Sequence, residues 1–131
     1  MKKLLVLTMI ICASACIAQT KSMDQVQPDS SNYENIYVKK LSSDSLASSF
    51  AIWVKLKVKM HKHVYHTEHV SILSGKGEFT IGDSTMTVKK GDFITIPKDT
   101  WHGVEVTSKK PMKVISVQSP EFKGKDRVFK K

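Results

Sequence analysis

"HKHVYHTEH", residues His61 to His69, gathers four of the five histidines of this 131-residue chain into nine positions. Histidine is an average strand former and an indifferent core residue, so neither propensity nor packing asks for such a cluster, whereas metal coordination and proton transfer do. His61 and His63, two apart, share one face of a strand, and a carboxylate that returns after a turn can approach them from the neighbouring strand. Glu68 is placed to do this, and the pattern closes on Gly75 as His61-x-His63-x4-Glu68-x6-Gly75. One detail needs a device. The apolar set before the cluster, Ile52, Val54, Leu56, Val58 and Met60, is even-numbered, while His61 and His63 are odd. A one-residue slip exchanges the two faces of a strand, so the reading requires a bulge or bend near Met60 and His61.

A second pattern follows a fifteen-residue spacer, "KGEFTIGDSTMTVKK". It reads Gly91-x5-Pro97-x4-His102. Around both, short β-rich runs alternate with turns: "NIYVKK", "FAIWVKLKVKM", "HVSILS", "GEFTIG", "TMTVKK", "DFITIP", "HGVEVT" and "MKVISVQ". Gly75-Lys76-Gly77, Gly82-Asp83, Gly91-Asp92 and Lys110-Pro111 mark the bends. Eight short strands at close spacing predict an all-β sandwich or barrel. "SSDSLASS" at 42–49 reads as a loop or at most one turn.

Taken together, the two patterns resemble the two motifs of the cupin superfamily, and the likeness covers about Val54 to Val117. The resemblance implies a small jelly-roll β-barrel, or double-stranded β-helix, with a metal site in its mouth. Carried over residue by residue, it implies that His61, His63, Glu68 and His102 ligate one divalent ion. Imidazole plus carboxylate without thiolate independently suits Fe, Mn, Ni, Cu or Zn and does not choose among them. Four protein ligands on an ion that prefers six leave two positions open. The chain departs from the family pattern at Asp99, where a glycine is expected, and at Val106, where an asparagine is frequent. Aspartate tolerates the left-handed conformation better than most residues, so the turn at Asp99 is expected to survive.

Each candidate has a plainer alternative. His61, His63 and His102 could be hydrogen-bonded strand histidines, and Glu68 an exposed strand residue. His66 stands between support of a ligand histidine and solvent exposure, and exchanging Glu68 for His66 gives the rival ligand set. His69 alternates with Glu68 and is expected to face away. Tyr65, Phe93 and Trp101 are candidates for the pocket mouth, although aromatics in a barrel more often pack. Ile72, Phe79, Ile81, Ile94, Ile96 and Val117 are expected to fill the barrel. With ordinary imidazole acidities, metal affinity is expected to fall between about pH 7 and about pH 5.

The remaining sequence sets the context. Residues 1–18, "MKKLLVLTMIICASACIA", have the basic start, short apolar run and small residues of a secretory signal, too short for a transmembrane anchor. "ASAC" at 13–16 supports a rival reading in which Cys16 carries a lipid anchor. The first reading implies an exported protein, periplasmic or secreted; the second, a lipoprotein at the membrane surface. Both cysteines, Cys12 and Cys16, lie here, so the domain beyond has no internal disulfide. Residues 19–33 are polar and aperiodic and read as a flexible tether, with the barrel domain over 34–131.

Of the nine net positive charges, Lys2 and Lys3 carry two, which leaves seven on the rest. Lys55, Lys57 and Lys59 alternate along one strand face without aromatic interleaving, which argues against nucleic acid as a partner. The alternation around Trp53 suggests a surface for a homodimer. Function is thus read as an exported, metal-dependent small-molecule enzyme of oxygenase or isomerase type. The alternative is a non-catalytic cupin that holds a sugar or small acid at the cell envelope.

Overall fold

The computed structural model describes residues 20–131, so the signal reading of 1–18, Cys12 and Cys16 lie outside the described residues. Ten strands follow in order: β1 (Ile36–Ser43), β2 (Ser48–Val54), β3 (Lys57–His63), β4 (Thr67–Ser74), β5 (Lys76–Ile81), β6 (Ser84–Lys89), β7 (Phe93–Ile96), β8 (His102–Val106), β9 (Met112–Ser119) and β10 (Arg127–Phe129). They form two five-stranded antiparallel sheets, ordered β1-β2-β9-β4-β7 and β10-β3-β8-β5-β6. The fold is the all-β jelly roll. No helix among the described residues is long and apolar enough to cross a membrane.

The run read as one strand, "FAIWVKLKVKM", is two. It bends at Lys55 and Leu56 and passes from the first sheet to the second. Such a corner frees backbone groups that need partners. Asn35 supplies them: its Oδ1 accepts from the amides of Leu56 (2.9 Å) and Lys57 (3.1 Å), and its Nδ2 donates to the Lys57 carbonyl (2.7 Å).

Beyond the corner lies the slip that the alternation requires. β3 pairs with β8 through Val58 and Val104, then through His61 and His102, and the register shifts between them. Before this bulge even residues turn inward; after it His61 and His63 are the buried ones. The bulge presses on β8 where Gly103 sits. A Cβ there would lie 2.9 Å from the Val58 carbonyl oxygen and 3.0 Å from the Met60 sulfur, so no larger residue fits without movement.

Between the sheets Val70, Ile72, Phe79, Val88, Ile94, Ile96, Val104, Met112 and Val114 form the core. Val117, expected among them, points outward. On β9 the inward series is Met112, Val114, Ser116 and Gln118, so two buried polar residues occupy the end nearest the histidines.

Residues 20–33, the described part of the segment read as a tether, lie against the barrel. The sheet of β1, β2 and β9 is apolar on its outer face as well, through Ala51, Trp53 and Ile115, and that face needs cover. Residues 20–33 provide it. Val26, 4 % exposed, packs with Met23 and Tyr33 against Trp53, and the buried Lys113 ammonium donates to the carbonyls of Met23 and of Val26 (2.6 Å). Asp29 pairs with Lys39 and accepts from the Tyr37 hydroxyl (2.8 Å). Trp53 is therefore 5 % exposed and covered by its own chain, so it does not offer the surface on which a homodimer was expected. Val26→Ala is expected to cost about 1 to 2 kcal/mol, read as a lower denaturation midpoint at unchanged m-value.

Candidate metal centre

The bulge in β3, the start of β4 and the start of β8 bring four side chains together. His61, His63, Glu68 and His102 are all buried, and one ligand atom from each lies within 4.8 Å of the others. The imidazoles are held in a single tautomer by bonds on their far sides. His61 Nδ1 donates to the Lys59 carbonyl (2.8 Å), His102 Nδ1 to the Thr100 carbonyl (2.9 Å) and His63 Nδ1 to Asp126 Oδ1 (3.1 Å). Each Nδ1–H is thereby committed, and each Nε2 lone pair is left for the interior.

Glu68 completes the set from below. Its Oε1 accepts from Ser116 Oγ and, at 3.5 Å, from Gln118 Nε2. Its Oε2 stands 3.1 Å from His102 Nε2 and 3.8 Å from His63 Nε2. Neither of these two nitrogens has a hydrogen-bond partner of proper geometry, although both are fully buried. Lone pairs of imidazoles and a carboxylate oxygen that converge on one point repel each other unless a cation lies between them. A proton on His102 would be the least such cation; three imidazoles and one carboxylate are the donor set of a divalent metal.

The electrostatics agree. Burial, reinforced by the neighbouring His102, lowers His61 from the ordinary 6.5 to about 4. Burial also lowers His63, against the pull of Asp126. For Glu68, burial pushes upward, but His102 and Ser116 outweigh it and hold the carboxyl at about 2. Proton competition at His61 therefore sets in near pH 4, more acid than the window expected for ordinary imidazoles.

The same shifts act on the metal-free fold. A group whose folded value is depressed contributes stability that is present above its unfolded value and lost as pH falls. For His61 the loss runs from 6.5 toward about 4, and for Glu68 from 4.5 toward about 2. The melting temperature of metal-free protein is expected to decline through these windows, and His61→Gln to flatten the upper one, as thermal scans across pH would record.

His66 belongs to a different arrangement. Its Nδ1 bonds Asp126 Oδ2 and its Nε2 donates to the Glu121 carbonyl (2.9 Å), so neither nitrogen is free for a metal ion. Asp126 bridges His63 and His66 and accepts from the Tyr65 amide (3.1 Å), fixing the His63 ring from behind. Asp126 lies 63 positions from His63, and no local pattern in "FKGKDRVF" at 122–129 distinguishes it. His69 turns to the other face and stacks on Phe93, ring centres 5.7 Å apart. Tyr65 and Phe93 are solvent-exposed, and Trp101 stands beside the Lys62 ammonium at 5.1 Å. The aromatics next to the histidines are instead Phe122, 5.3 Å from His63, and Phe129, 5.9 Å from His61.

The second motif works as a turn. Asp99 adopts φ of 60°, its amide donates to the His63 carbonyl (2.6 Å), and Lys62 reaches its carboxylate (2.6 Å). That ties the approach to His102 onto the strand of His63.

The family described as Cupin domain matches residues 51–118. An uncharacterized protein of Aquifex aeolicus is 33 % identical over 95 residues, which span 72 % of this chain and 78 % of that one. Among solved structures, a double-stranded β-helix protein from Klebsiella pneumoniae superposes with a TM-score of 0.71 at 16 % identity, over 88 % of this chain and 99 % of its own. The Streptomyces nucleoside dehydratase Pac13, solved with uridine, gives 0.66 at 19 % identity, over 76 % of this chain and 82 % of its own.

Proposed function

Because this chain belongs to the Cupin domain family, we propose that it holds one divalent metal ion, Fe, Mn, Ni, Cu or Zn, at His61, His63, Glu68 and His102. There the ion presents open positions to a small oxygen-bearing molecule. The observation that carries the reading is the pair of buried, partnerless Nε2 atoms of His63 and His102 facing the Glu68 carboxylate. A metal so placed supplies Lewis acidity or, if redox-active, a site for dioxygen. The chain's own residues orient the ligands through Lys59, Thr100 and Asp126, and keep water scarce by burial. That Pac13 was solved with uridine supports a small molecule in a barrel of this shape, though fold alone names no reaction.

Two outcomes for the bound molecule follow from what lines the cavity. Among the described residues, no titratable side chain apart from the ligands and Arg127 lines it. His66, the one further acid or base that the sequence offered, is tied between Asp126 and the Glu121 carbonyl. Chemistry at the site therefore falls to the metal itself, in an oxygenase- or isomerase-like enzyme, or is absent in a binding protein. Elemental analysis of protein purified from its own host decides the first point: stoichiometric metal supports the reading, and none at all overturns it. Dioxygen uptake by the metal-loaded form then separates enzyme from binder.

The location proposed is outside the cytoplasm, on the strength of the basic and apolar start at residues 2–12. An intact mass beginning at Gln19 supports it, a lipid-modified Cys16 shifts it to the membrane surface, and a retained Met1 in the mature protein rejects it.

A further inference from the structure

The cavity lined by His61, Glu68 and His102 measures about 90 Å³, smaller than the roughly 150 Å³ apolar cavity known to hold benzene. Its walls are aliphatic and aromatic: Val54, Val70, Phe79, Val104, Met112 and Val114 among them. Hydroxyls laid against such walls would lose their water without gaining partners. Among the described residues, two polar points remain in the lining once the four ligands are committed to a metal. Gln118, 2 % exposed, turns a partnerless Oε1 into the interior. This oxygen is an acceptor, because the same amide donates its Nε2 toward Glu68. It repels an anion, which directs a carboxylate away from it and toward the mouth.

The other point is Arg127, at the mouth. In an antiparallel ladder directly opposed residues share a face. β10 pairs with β3 so that Arg127 faces His63 and Phe129 faces His61. Arg127 is thus aimed at the ligand side of the sheet, its guanidinium 5.5 Å over the Phe122 ring. Among the described residues no carboxylate pairs with it. A cation at the rim of an apolar cavity, next to a metal with open positions, selects a molecule with one anionic end and a hydrocarbon body.

We infer that the cavity takes a short aliphatic carboxylate, its anionic end between Arg127 and the metal and its carbon body against Val70, Phe79 and Val114. Polyhydroxylated sugars are the wrong class for it. This rests on the metal reading above for one of the two contacts to the carboxylate, while the Arg127 contact stands without it.

Three probes of equal size separate the terms: butanoate, its neutral amide butanamide, and 3-hydroxypropanoate, in which a hydroxyl replaces the terminal methyl. Calorimetric titration of zinc-loaded full-length protein, with zinc content measured alongside, is expected to show butanoate binding. The amide and the hydroxy acid should each bind at least about 10-fold more weakly. Arg127→Gln is expected to keep its zinc and lose about 10-fold in butanoate affinity, with Arg127→Lys recovering part of the loss. Equal or tighter binding of 3-hydroxypropanoate, an unchanged affinity in Arg127→Gln, or no butanoate binding at all overturns the inference. If the wild type retains no zinc, the metal reading fails by itself, and the same comparison on zinc-free protein decides the carboxylate.

Discussion

Replacing His61, His63 or His102 with alanine is expected to abolish tight metal binding while leaving the fold intact. Each ring contributes one inward lone pair whose position is fixed by a bond on its far side, to Lys59, Asp126 or Thr100. Losing a direct ligand removes that donor outright, and an ion held by three remaining atoms exchanges with solvent. The metal-free variants should stay folded but melt somewhat below metal-free wild type, because each loses its bond to Lys59, Asp126 or Thr100. The thermal increment on adding metal, about 2.7 kcal/mol when metal is present at 100 times its dissociation constant, should vanish.

Glu68→Gln is expected to weaken binding severely, since it removes the one negative charge in the set. Asp126→Asn and His66→Ala act from behind His63 and should cost about 10- to 100-fold. His69→Ala, on the opposite face against Phe93, should change nothing. Parallel titration of these variants with one divalent metal decides. Strong loss from His66→Ala with Glu68→Gln unaffected would replace Glu68 by His66 in the ligand set.

The largest effect on stability is expected from Gly75→Ala. Gly75 joins β4 to β5 with φ of 86°, and a Cβ there would fall 2.6 Å from the Cα of Met112, a fully buried residue of β9. The left-handed backbone costs roughly 1 kcal/mol for an L side chain. The contact adds more, because the atom in the way is backbone and cannot rotate aside. A total above about 3 kcal/mol is expected, or a fall in melting temperature of roughly 10 °C or more. Since the obstruction is the Met112 main chain, Met112→Ala should not rescue it. A variant that melts within a few degrees of wild type would show that β9 can retreat.

Gly75 also shows why so much was legible. The spacing from His61 to Gly75 and from Gly91 to His102 encodes where the chain must turn, and turns depend on nearby residues. The face slip in β3 could be read for the same reason, since even-numbered apolar residues and odd-numbered histidines cannot share one face of an unbroken strand. Asp99 kept its left-handed turn because its own side chain permits it.

Long-range partners were the part that stayed hidden. Asp126, Ser116 and Gln118 meet the site through contacts spanning 48 to 63 positions, and nothing beside them in sequence announces it. Val117 reads as barrel packing because a valine among strand residues is ambiguous by one step of parity. β10 escaped notice because three residues at a sheet edge, with charged neighbours, carry no period. The segment 20–33 looked unstructured for a related reason: Met23, Val26 and Tyr33 are too sparse to show a pattern, yet they suffice to cover one indole.

That cover separates the chain's two tryptophans optically. Trp53 lies dry beneath residues 20–33, on the back of the barrel, while Trp101 is half-buried at the front, beside Lys62 and adjoining His102. Emission from the first should be blue, and should redden when the N-terminal segment lifts. Emission from the second should be redder from the start and should dim when a paramagnetic ion settles among the histidines. A single spectrum can therefore follow the two ends of the molecule independently, and would reveal whether loading the front is felt at the back.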